Sequence, residues 1–79
     1  MIIKSNIITD ETIIDDVTRA LADAENYNLI KNISAPLRDE FIRDCAQCVT
    51  LNYETYDEYN PNYSDIVADM AKLYGYWEA

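Results

Sequence analysis

The stretch "SAPLRDEFIRDCAQCVTLNYETYDEY" (residues 34–59) decides the fold. With Leu37 set at 0° on a helical wheel, Cys48 falls at about 20°, Phe41 at about 40°, Cys45 at about 80° and Val49 at about 120°, one continuous apolar face. Continuing the count places Tyr59 at about 40°, Tyr56 at about 100° and Tyr53 at about 160°, so the tyrosines extend that face. Glu54, Asp57 and Glu58 project between about 200° and 300°, away from it. Ser34 is a suitable N-cap, and Pro36 sits where a missing N–H costs no helical hydrogen bond. The spacing predicts a helix from about residue 35 to about residue 58, stopped by Asn60-Pro61 because a residue before proline resists the helical conformation.

Both flanks read the same way. Ile13, Ile14, Val17, Ala20, Leu21 and Ala24 share one face, with Asp15, Asp16, Arg19 and Asp23 opposite, which predicts a helix over residues 10–25. Thr9 or Asp10 can cap it, and Asp10 and Glu11 suit the positive end of its dipole. "NYNLIKNIS" (26–34) breaks the pattern with asparagines that favour turns. Its Leu29, Ile30 and Ile33 are expected to tuck a connection, or a single helical turn, against the core. Downstream, Asn62 or Ser64 can cap a third helix carrying Ile66, Met70 and Leu73, with Val67 and Tyr74 beside them. Gly75 is placed to end it, with Trp77 packing just past the last turn. Three amphipathic helices in residues 1–79 predict one small all-α domain, a three-helix bundle. Ile2, Ile3, Ile7 and Ile8 suggest an N-terminal extended arm or short strand.

With 79 residues the chain has room for one modest core. Nearly half of it is apolar, which argues against a disordered acidic tail. Fifteen carboxylates against six basic residues give a formal charge of −9. Such a field repels nucleic acid and anionic membrane and attracts basic protein surfaces. "MIIKSNII" has neither the length nor the cleavage pattern of a signal peptide, and no apolar run approaches membrane-spanning length, so a cytoplasmic location is expected.

Few residues suggest chemistry. Cys45-Ala46-Gln47-Cys48 is a C-x-x-C, but with no histidine a single chain could offer zinc only two thiolates and carboxylates. A dimer could assemble four thiolates. A redox pair needs a lowered thiol pKa, whereas these cysteines fall about three turns inside a predicted helix and on its apolar face, so core packing is the expectation. "DEYNPNYSD" (57–65) spaces oxygen ligands like a calcium loop but lacks the glycine and bidentate glutamate such a loop requires. The pairs Asp15-Asp16 and Asp39-Glu40 fall on solvent faces, where ion pairs of Arg19 with Asp15 or Asp23 and of Arg43 with Asp39 are expected. No cofactor, no metal and no enzymatic activity is expected.

"NYETYDEYNPNYSD" (52–65) sets four tyrosines among four carboxylates without a basic residue. Carboxylates three or four apart on a helix stand about 5 to 6 Å from each other, a scale similar to phosphate spacing along a nucleic-acid strand. Glu54, Asp57, Glu58 and Asp65 are therefore candidate phosphate surrogates, with Tyr56, Tyr59 and Tyr63 as contact anchors. Asp10, Glu11, Asp15 and Asp16 offer a second acidic edge.

In size, charge and composition the whole chain resembles the small acidic phage proteins that inhibit host nucleases, the anti-CRISPR proteins and other DNA mimics. That profile is the resemblance; no family motif is matched and no residue is carried over. It implies a stoichiometric inhibitor docked on the basic nucleic-acid channel of a CRISPR effector, blocking DNA binding without touching nucleic acid itself. The rival class is a regulatory interaction module, a homodimer or antitoxin-like partner, joined through Trp77, Tyr74 and Met70 or through the cysteine face.

Overall fold

Apolar stripes on three short helices must converge for a chain this size to bury a core, and they do. The computed structural model describes residues 11–56 and 58–78. It comprises α1 (Glu11–Asn26), α2 (Ala35–Thr55) and α3 (Tyr63–Tyr74). The expected arm at residues 1–10, including the Thr9 and Asp10 caps, lies outside the described residues, as does Asp57. Short connections turn each helix back on the one before it. α1 packs against both partners, and α2 and α3 touch more lightly. The largest fully buried side chains are Val17 and Leu21 from α1, Phe41, Cys45 and Val49 from α2, and Val67 from α3. No described helix is long and apolar enough to cross a membrane.

α2 is rotated from its expected setting. Its buried residues are Phe41, Ile42, Cys45, Ala46 and Val49, an arc from about 40° to about 180° on the wheel used above. Leu37, at the abandoned edge, is exposed, and Cys48 is only half-buried. Small Ala46 on the far side lets α2 settle closer to its neighbours than the cysteine edge would. Ser34 does occupy the N-cap position, but its side chain makes no capping hydrogen bond. Pro36 supplies the start instead, since its ring pre-sets the helical φ.

α1 and α3 end by the same device. After α1, Leu29 N–H donates to the Ala24 carbonyl at 2.9 Å and Asn28 N–H to the Glu25 carbonyl at 3.1 Å. After α3, Tyr76 N–H donates to the Ala71 carbonyl at 2.8 Å and Gly75 N–H to the Lys72 carbonyl at 3.4 Å. Both are Schellman closures, with a left-handed residue at the reversal, Asn28 at φ 60° and Gly75 at φ 81°. The two emerging segments then meet. Lys31 N–H donates to the Tyr76 carbonyl at 2.9 Å and Glu78 N–H to the Leu29 carbonyl at 2.7 Å, an antiparallel bridge between Ile30 and Trp77. The connection is thus extended backbone where a helical turn was one expectation. Its Ile30 is buried as anticipated. Arg38 fastens this end by donating from Nε and Nη2 to the two Glu25 carboxylate oxygens, at 3.2 and 2.9 Å.

Candidate partner-binding end of the bundle

The opposite end is built from the start of α1, the end of α2, the connection 56–62 and the start of α3. Asn62 caps α3: its side-chain oxygen accepts from the Asp65 backbone N–H at 3.2 Å. Asp65 in the first turn of α3 and Glu11 in that of α1 face favourable dipole ends.

The expected acidic row is not one helix face. α2 stops at Thr55, and Tyr56 adopts extended backbone at φ −114° and ψ 134°. Glu58 therefore stands in the connection, off the helix. Two forces explain the early stop. Glu54, Asp57 and Glu58 would sit at i, i+3 and i+4, repelling one another at the negative end of a helix with no basic residue in its last turn. Leaving the helix also lets Tyr59 fold back, its ring meeting Tyr53 edge-to-face at a centroid separation of 5.1 Å. The tyrosines accordingly divide. Tyr59 and Tyr63 pack against the core, while Tyr53 and Tyr56 are 47% and 58% exposed.

Tyr63 joins the two acidic edges. Its phenol is pushed up to about 12, first by burial and then by neighbouring Tyr53, with Asp16 and Tyr59 adding to the effect. Asp16 of α1 therefore lies within electrostatic reach of the tyrosine cluster. Burial also raises Tyr59. Glu11, Asp15 and Asp16 lie in the first half of α1, Glu54, Tyr56, Glu58 and Tyr59 at and just past the end of α2, and Tyr63 and Asp65 at the start of α3, with Asp65 also lining a cleft with Tyr27, Leu29 and Trp77. Glu11, Asp15, Glu54, Glu58 and Asp65 are exposed. Arg19 is the described cation tied to this group, reaching Asp16 at 3.3 Å rather than Asp15 or Asp23. Arg43 makes no ion pair among the described residues. Tyr53 belongs to the tyrosine cluster although the wheel had set it at the margin of the apolar face; its spacing from Tyr56 and Tyr59 was the available signal.

The cysteine face holds no assembled chemistry. Cys45 is fully buried and its thiol is pushed up to about 12, by burial first and then by Cys48 and Asp44. A thiol so held is a poor nucleophile. Both cysteines are free. Among the described residues no group of three or more His, Cys, Asp or Glu side chains is arranged to hold a metal ion. Beside Cys48 runs an open groove between α2 and α3, bordered by Leu51, Met70 and Tyr74. The Tyr74 hydroxyl donates to the Asp44 carboxylate across it.

No protein-family model, curated protein or solved structure matches the chain.

Proposed function

We propose that the protein is a stoichiometric inhibitor whose acidic, tyrosine-lined end docks on a basic nucleic-acid-binding surface of a host nuclease, in the manner of an anti-CRISPR protein blocking DNA binding. The observation that supports this reading is that Asp16 of α1 lies within electrostatic reach of the tyrosine cluster formed by Tyr53, Tyr59 and Tyr63, with exposed Glu58 and Tyr56 in the connection that carries Tyr59. Exposed carboxylates there substitute for phosphates, and Tyr53 and Tyr56 offer exposed rings beside them. No enzymatic step is required, because occupying the groove suffices. The protein acts in the cytoplasm under this reading.

A second reading draws on the groove between α2 and α3. Leu51 is 51% exposed and Tyr74 is also exposed at its border, and Leu73 in the last turn of α3 is 79% exposed, which suits a homodimer or antitoxin-like contact involving this part of the surface.

The two readings separate in a pull-down from bacterial lysate with the tagged protein, washed at low and high salt. Mimicry gives a basic nucleic-acid-binding protein that high salt removes, and that the E54K/D57K/E58K variant fails to recover although its helicity is unchanged. Wild-type recovery by that variant would refute the acidic end as the docking site. A partner retained at high salt and lost on L51S/L73S would move the function to the groove.

A further inference from the structure

A cleft of ≈ 330 Å³, which shares only Asp65 with the carboxylates of the proposed docking end, lies between α1 and α3. Its floor is made of small residues, Ala20, Ala24 and Ala68, and its rim includes Tyr27, Trp77, Asp23 and Asp65. From the cleft we infer a receptor for one arginine side chain of a basic partner protein.

Three observations on this cleft agree. The volume is at the lower end of ligand-binding pockets, which suits a single side chain. Both rim carboxylates are exposed and make no ion pair among the described residues. The cleft borders both the last turn of α1 and the first turn of α3, so the two helix dipoles offset each other and the carboxylates supply the attraction for a cation. Tyr27 is 75% exposed, an aromatic ring standing at the mouth without cover. Arginine fits this combination better than lysine, because a guanidinium stacks on aromatic faces while donating a fork of hydrogen bonds to a carboxylate. Trp77 already attracts a cation: Lys72 Nζ is 5.1 Å from its ring centroid. The lysine pairs with neither aspartate, leaving both for the guest.

The inference rests on the reading that the partner is basic, yet it can be tested without that partner. Trp77 is the sole tryptophan, so its fluorescence reports on the cleft directly. The intact protein would be titrated with hexa-arginine and with hexalysine at physiological salt, with amide shifts recorded in parallel. Hexa-arginine should perturb Trp77 and the amides of residues 20–29 and 64–68. The D23N/D65N variant should weaken it about tenfold or more, and D39N/E40Q, which removes the same charge elsewhere, less than about twofold. Equal weakening by both variants, equal binding of hexalysine, or an unperturbed Trp77 would each overturn the cleft. Loss of lysate binding by E54K/D57K/E58K with normal hexa-arginine binding would show that the two sites stand or fall separately.

Discussion

Gly75→Ala tests the closure of the fold directly. Gly75 holds φ 81°, and a Cβ built there meets nothing within 4 Å, so the substitution adds backbone strain without a clash. An L-residue in the left-handed region loses roughly 1–2 kcal/mol, and reduced freedom in the unfolded chain offsets roughly 0.4–1 kcal/mol of it. A net loss of about 1 kcal/mol follows, which for a domain of this size lowers Tm by roughly 4–8 °C. Gly75→Asn should fall less than half as far, because asparagine tolerates this conformation, as Asn28 does at φ 60° at the end of α1. The assay is thermal melting of the three proteins by far-ultraviolet circular dichroism, with Trp77 fluorescence following the bridge to Ile30. A G75A variant melting with or above wild type would refute the strain argument. Equal losses for Ala and Asn would locate the penalty in the added side chain and not in φ.

Alkaline stability should fall in a defined window. Tyr63 and Tyr74 titrate near 12 when folded against an ordinary value of 10.0, Tyr74 chiefly through its hydrogen bond to Asp44, and Cys45 near 12 against 9.0. Raised folded values favour the protonated forms, so their stabilisation is complete below about pH 9 and disappears as pH climbs toward about 12. Melting temperatures across that range should decline, and decline less steeply in Y63F/Y74F; parallel slopes would show that these phenols do not carry the effect. Arg38→Lys keeps the charge but loses the two-pronged contact with Glu25, and should cost about 0.5–1 kcal/mol. A denaturant midpoint unchanged from wild type would show that the bridge adds nothing.

The parts of the fold legible in the sequence were those set by local periodicity and turn chemistry. α1 ends within one residue of the expected position, and Asn62 and Gly75 bound α3 as expected, because capping and left-handed closure are decided by a few adjacent residues. The end of α2 was decided at longer range. Tyr59 could pack on Tyr53 and on the core only by leaving the helix, a gain invisible to a wheel that treats every residue as helical. The rotation of α2 has a similar origin, since Ile42 and Ala46 became core residues through the fit to α1 and α3. The bridge between Ile30 and Trp77 joins segments far apart in sequence and has no local signature. For the candidate site, residue identities were legible, whereas its geometry as an end surface and not a helical row depended on that long-range packing.

The carboxylates at the acidic end do not bear equally on function. Glu11 and Asp65 occupy first turns, where the dipole favours a negative charge, so neither is evidence for the acidic end as a docking surface. Asp16 holds Arg19 and is likewise explained by local pairing. Glu54 lies in the last turn of α2, where the dipole disfavours an acid, but it makes an interaction of its own within the chain. Glu58 adds another exposed charge within the same few residues, between exposed Tyr56 and packed Tyr59. In a chain already at −9, further like charge at this position works against folding. Departures from local stability rules concentrate where a surface serves something besides the fold. By that reasoning Glu58, with the exposed rings of Tyr53 and Tyr56, carries the argument for a docking surface, and the remaining carboxylates extend its field.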